Sequence, residues 1–143
     1  MKENELKIIS SKTNKVKTNR KIMEKILIVD DDINLCTVLK DELTEVGYEA
    51  DFVNNGDSAF GYLTKKAVDL ILLDLKMPGK DGFDVLRELR SKKLNVKVIV
   101  LTAYADVKSA IDSAKLGATD FISKPYDFDE LLITIRKVLQ RDT

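Results

Sequence analysis

The chain has 143 residues, 44% apolar and 34% charged, with as many basic as acidic side chains, a size that fits one globular domain and not two. It holds no histidine and a single cysteine, which excludes imidazole-based triads, histidine metal sites, a phosphohistidine donor role and any internal disulfide. No apolar stretch approaches the ~20 residues of a membrane span and no signal-peptide core follows the start, so the expectation is a cytoplasmic protein with no membrane partner. The charge is uneven. The first 25 residues carry eight Lys/Arg against three Glu, leaving 16 basic and 21 acidic side chains in the rest.

Residues 1–24 are rich in Lys, Asn, Thr and Ser without a sustained period, and read as a basic, flexible N-terminal extension. A basic arm for nucleic acid or an acidic partner, or a helix docked on the domain, are the alternatives, although the segment has no aromatic side chain on which a base could stack. Over residues 25–141 short β-branched runs alternate with stretches of helical period, the pattern of five βα units on a parallel sheet. Ile26–Val29 is the first strand. Leu35, Val38, Leu39, Leu43 and Val46 then fall at helical spacing up to the stop at Gly47, and Cys36 sits among them as a packing residue. Glu49–Val53 is a weaker second strand, closed by Asn54-Asn55-Gly56-Asp57 as turn and helix cap. Val68–Leu73 is apolar on both faces apart from Asp69, as suits a central parallel strand. Lys76-Met77-Pro78-Gly79-Lys80-Asp81-Gly82 forms a loop before a helix holding Phe83, Leu86 and Leu89. Val96–Leu101 is the fourth strand, and Asp106 caps a helix with Val107, Ala110, Ile111 and Ala114 on one face and its end at Gly117. The last unit is a short strand at Phe121-Ile122-Ser123. It is followed by Asp127 and Glu130 in capping-box spacing and a stripe of Phe128, Leu131, Leu132, Ile135, Val138 and Leu139.

Five polar positions close these apolar runs: Asp30-Asp31, Asp74, Thr102 and Lys124, the last followed directly by Pro125. Each stands at the carboxyl end of an expected strand, the edge of an open parallel sheet where ligands bind. Three carboxylates in one crevice repel one another unless they share a cation. Magnesium, which takes few protein carboxylates and completes its shell with water and phosphate oxygens, suits a donor set with nothing softer in it. Asp74 is the candidate nucleophile, since a carboxylate attacking phosphorus yields an aspartyl phosphate. Lys124 supplies a point charge for phosphoryl oxygens and Thr102 a hydroxyl donor. Taken singly each has an ordinary reading: a cap, a turn, a surface lysine. Pro125 fits either a cis peptide that holds the ammonium inward or a plain helix-entry proline.

In this order, Ile26-Leu27-Ile28-Val29-Asp30-Asp31-Asp32, Leu73-Asp74-Leu75-Lys76-Met77-Pro78-Gly79-Lys80-Asp81-Gly82, Leu101-Thr102-Ala103-Tyr104 and Lys124-Pro125 resemble the receiver domain of two-component response regulators. The stretch Leu101 to Glu130 looks most like receivers of sigma-54-type, NtrC-like activators. The resemblance implies a flavodoxin-like (βα)5 three-layer sandwich of strand order 2-1-3-4-5. It implies phosphorylation of Asp74 by a sensor histidine kinase or phosphotransfer protein, and Mg2+ held by Asp31, Asp74 and the backbone carbonyl of Lys76, with Asp30 acting through a water. It also implies a switch in which the Thr102 hydroxyl moves to the phosphate and Phe121 turns inward behind it. Phe121 lacks the hydroxyl of a tyrosine, so packing alone holds that state. Lys76 and Tyr104 flank the path of the hydrolysing water in such domains, and both are large, which predicts slow self-hydrolysis. The surface of the fourth helix, fifth strand and fifth helix would then report to a downstream protein target or a second copy of the chain, with no direct DNA binding from this domain.

Three other readings compete: a receiver fragment of a larger transcription regulator, a degenerate receiver serving only as a docking module, and a haloacid-dehalogenase-type phosphatase. The last would need Asp30-Asp31-Asp32 to act as its Asp-x-Asp nucleophile motif.

Overall fold

The computed structural model describes residues 23–140. Of the N-terminal extension expected over 1–24 all but the last two residues lie outside the described residues, as do residues 141–143.

Five strands and five helices alternate: β1 (Lys25–Val29), α1 (Ile33–Glu45), β2 (Glu49–Val53), α2 (Gly56–Leu63), β3 (Leu70–Leu73), α3 (Gly82–Ser91), β4 (Lys97–Thr102), α4 (Val107–Lys115), β5 (Asp120–Ser123) and α5 (Phe128–Gln140). All strand pairs are parallel, in the order β2-β1-β3-β4-β5, the 2-1-3-4-5 arrangement expected. Side chains alternate across a strand, so each apolar run feeds two cores. Ile26, Ile28, Leu70, Leu72, Ile99 and Leu101 meet Cys36, Leu39 and Leu43 of α1 and Leu131, Ile135 and Val138 of α5. Leu27, Val29, Ile71, Leu73, Val98 and Val100 meet Ala59 and Phe60 of α2 and Val85, Leu86 and Leu89 of α3. The result is three layers with the sheet in the middle. Fully burying one such Leu or Ile contributes about 1.5–3 kcal/mol, which is why uninterrupted apolar runs commit to central strands.

Each helix starts where a side chain supplies the missing acceptor. Asp32, Asn55, Asp81 and Asp106 accept from the amides of Leu35, Ser58, Asp84 and Ser109, and Asp81 with Asp84 closes a reciprocal capping box. Gly47 and Gly117 both have φ +104, a left-handed conformation that follows a helix end without steric cost only in glycine.

Two expected stripes turn out differently. In α1, Val38 and Val46 are exposed while Cys36, Leu39 and Leu43 carry the contact, because the buried stripe is narrower than the apolar one. In α4, Val107 is 75% and Ile111 49% exposed, and Ser113 is the buried residue. The apolar face of α4 points away from the sheet.

Candidate functional site

Backbone register brings the five polar groups to one edge. The Asp30 amide donates to Val53 O (3.2 Å), the Asp74 amide to Val29 O (2.9 Å) and the Lys124 amide to Thr102 O (2.8 Å), so the chain leaves β1, β3 and β5 still tied to its neighbours. Beyond Asp74 the loop is anchored by Leu75 and Met77, both buried in the α2/α3 core, with exposed Lys76 between them. The loop then folds back so tightly that a Cβ at Gly82 would lie 2.4 Å from Asp74 O and 2.7 Å from Leu75 Cα. Only glycine fits there.

Carboxylate oxygens of Asp30, Asp31 and Asp74 all lie within 4.8 Å of one another. Asp30 is 2% and Asp74 7% exposed, whereas Asp31 faces solvent. Lys124 Nζ reaches this trio from β5, 2.7 Å from Asp30 Oδ2 and 3.5 Å from Asp74 Oδ2. The Lys124-Pro125 peptide is cis. Burial pushes the Asp30 carboxyl above its ordinary range, and the hydrogen bond from Lys124 offsets part of that effect. Burial alone would lower the Lys124 ammonium, but Asp30 and Asp74 outweigh it and hold its pKa above the usual lysine value. Three carboxylates against one ammonium leave two negative charges uncompensated. A hard divalent cation with oxygen ligands matches both that charge and that donor set.

Each oxygen of Asp30 has a partner: Oδ1 accepts from the Asp32 amide (2.9 Å), Oδ2 from Lys124, and its carbonyl from Asn54 Nδ2 (2.8 Å) and Cys36 Sγ (3.4 Å). Asp74 is held loosely by comparison, with its Oδ1 3.5 Å from the Lys76 amide. Asp31 makes no hydrogen bond or ion pair among the described residues. Burial pushes the Cys36 thiol up to about 12, so it stays protonated and serves as a packing residue, as its place in the sequence indicates. Asp32 is turned away to cap α1, which removes the second acid of an Asp-x-Asp phosphatase motif from the site.

Thr102 is wholly buried, and its Oγ1 accepts from the Tyr104 amide (3.2 Å). Phe121 packs partly buried against the core on the α2/α3 side. Lys76 Nζ lies 5.0 Å from the centre of the Tyr104 ring, so the two residues expected to flank the water path touch each other. Sequence reading placed Asn54 and Gly82 only as turn residues; their contacts to Asp30 and Asp74 leave no mark in local pattern. Nor does the bond from Tyr126 OH to Glu42 Oε1 (2.7 Å), which ties the loop after Pro125 to α1.

Known proteins resemble this chain in sequence and in fold. The profile of the "Response regulator receiver domain" matches residues 26–136. The transcriptional regulatory protein ZraR of Klebsiella oxytoca is 40% identical over 114 residues, 80% of this chain, and the chain spans only 26% of that relative's length. Sporulation initiation phosphotransferase F of Bacillus subtilis (strain 168) is 38% identical over 116 residues, 81% of this chain and 94% of the relative. Among solved structures, the receiver domain of a LuxO repressor protein from Vibrio parahaemolyticus superposes with a TM-score of 0.80 at 30% identity, covering 84% of this chain and 92% of that one. The response regulator TrrA of Thermotoga maritima, solved in complex with Mg(2+)-BeF, gives 0.73 at 40% identity, covering 81% and 99%. With the sheet order, the acidic trio and these likenesses in agreement, the chain belongs to the receiver domains of two-component response regulators.

Proposed function

We propose that this receiver takes a phosphoryl group onto Asp74 from a sensor histidine kinase or phosphotransfer protein, in a Mg2+-dependent reaction that it promotes only on itself. The observation that carries the reading is the setting of Asp74: a buried carboxylate with no short hydrogen bond, flanked by two further acids and by Lys124 at 3.5 Å. One Asp74 oxygen forms the P–O bond as the donor's P–N bond breaks, with the electron pair leaving on the donor imidazole. Asp31, Asp74 and the Lys76 carbonyl would hold Mg2+, with Asp30 reaching it through a water. When bound, the ion neutralises charge developing on the phosphoryl oxygens. Lys124 is already at the acceptor and needs only to shift from Asp30 to the phosphoryl group. The Thr102 hydroxyl, which now accepts from the Tyr104 amide, is free to donate its proton to a phosphoryl oxygen. Phe121 follows it on the same side of the sheet.

The output surface is α4, β5 and α5, where exposed Tyr104, Val107 and Ile111 suit an apolar contact to a downstream protein or to a second copy of the chain after phosphorylation. A second reading, a receiver working within a larger transcription regulator, is favoured by ZraR, of which the chain spans a quarter. The nearly full-length match to the sporulation phosphotransferase favours passing the phosphoryl group on.

Intact mass after incubation with acetyl phosphate, with and without Mg2+, tests the reading. A Mg2+-dependent gain of one phosphoryl group in the wild type, absent from Asp74→Asn, is expected. A gain in the mutant would place the acceptor elsewhere, and none in the wild type would leave a docking module.

A further inference from the structure

We infer that Asn54, at the end of β2, is a positioning residue for the metal site: it aims Asp31 by clamping the peptide from which Asp31 hangs. The inference rests on the Mg2+ site proposed above and concerns a residue outside it. Asp31 has no partner among the described residues that could fix its carboxylate, so the backbone is what places the Cβ from which that carboxylate reaches the site. That backbone follows the Asp30 carbonyl, which takes a short bond from Asn54 Nδ2 (2.8 Å) and a longer one from Cys36 Sγ (3.4 Å). Asn54 Nδ2 also lies 3.8 Å from Cys36 Sγ, so the two donors converge on one oxygen. The Asp30 amide is bonded in turn to Val53 O, the residue before Asn54, and the two strand ends therefore grip each other twice. Residues that only orient ligands commonly change metal affinity about 10- to 100-fold when removed.

Asn54→Ala and Asn54→Asp separate this role from its alternatives, with Asn55→Ala as a control in the same turn. Asn55 caps α2 through the Ser58 amide and makes no bond to the acids. Mg2+ titrations followed by NMR amide shifts should give about a tenfold weaker Kd for Asn54→Ala. Its phosphorylation rate at saturating Mg2+ should stay within about twofold of wild type, because the ligands themselves are intact. Asn54→Asp is the sharper arm. A new carboxylate near the site would tighten cation binding by charge alone, whereas loss of the donor, with an anion set against the Asp30 carbonyl, should weaken it at least as much as alanine does. Asn55→Ala should lower thermal stability and leave the Mg2+ Kd unchanged. Equal Kd values for wild type and Asn54→Ala, or tighter binding by Asn54→Asp, would overturn the inference while leaving the metal site standing. No Mg2+ binding by the wild type would overturn both.

Discussion

Asp30 and Asp74 are both buried acids at neighbouring strand ends, yet their surroundings divide the work between them. Every polar atom of Asp30 is engaged, so it is a fixed charge that parks Lys124. The Asp74 carboxylate has only contacts at 3.5 Å, which leaves a lone pair available to attack. Lys76, two residues on, forms a cation–π pair with Tyr104, which is half exposed (51%), so two flexible side chains restrain each other, and we propose that they do so over the approach to the acceptor. Removing either should open that approach to water. Lys76→Ala and Tyr104→Ala are each expected to speed loss of the aspartyl phosphate by roughly two- to fivefold, the rate equivalent of the ~0.5–1 kcal/mol an exposed cation–π contact is worth. Following decay of the phosphorylated mass in excess EDTA measures this, and an unchanged or slower decay in both variants would refute the shielding role.

At the scale of elements, the far end of the β1/β2 pair is fastened by charge rather than by apolar packing. Lys25 Nζ lies 3.1 Å from Asp51 and 3.3 Å from Glu49 on β2, while Tyr62 OH of α2 donates to Asp51 Oδ2 at 2.7 Å. The Tyr62 bond, aided by Lys25, draws the Asp51 pKa down to about 2. With the folded value below the unfolded ~3.9, the folded chain binds fewer protons at pH 3 than the unfolded one. Stability from this group is therefore complete above about pH 4 and is lost as the pH falls through about 2. Tyr62→Phe should cost about 1 kcal/mol at neutral pH, with the gap to wild type narrowing across that acid window. Urea unfolding between pH 7 and 2 checks it, and parallel stability curves throughout would show that Tyr62 does not act through Asp51. This network joins residues 11 to 26 apart and was invisible to local pattern. The strands, by contrast, were legible because burial on both faces demands unbroken apolar runs, and the site because each functional group interrupts such a run at its end. The α4 stripe shows the limit. Periodicity says that Val107 and Ile111 share a face, and only tertiary structure says that the face is left open.

For the molecule as a whole, the cost of the site is electrostatic and a cation should relieve it. Asp30, Asp31 and Asp74 crowd their oxygens within 4.8 Å with one ammonium between them, and two of the three are buried where water screens them little. Mg2+ held by this cluster would favour the folded arrangement over the unfolded chain, in which the acids are separated by up to 44 positions of sequence from Asp30 to Asp74. At a concentration of about a hundred times its Kd the ion should therefore raise the unfolding free energy by about 2.7 kcal/mol. Sodium chloride at the same ionic strength should not reproduce the effect, because general screening does not bridge buried carboxylates. Asp31→Asn divides the two contributions: without metal it should be at least as stable as wild type, since a like charge has left the cluster, and with metal it should gain far less. Urea midpoints for both proteins, with and without Mg2+ at matched ionic strength, measure all four states. Equal gains in wild type and Asp31→Asn would mean that the ion stabilises the fold from somewhere other than this acidic edge.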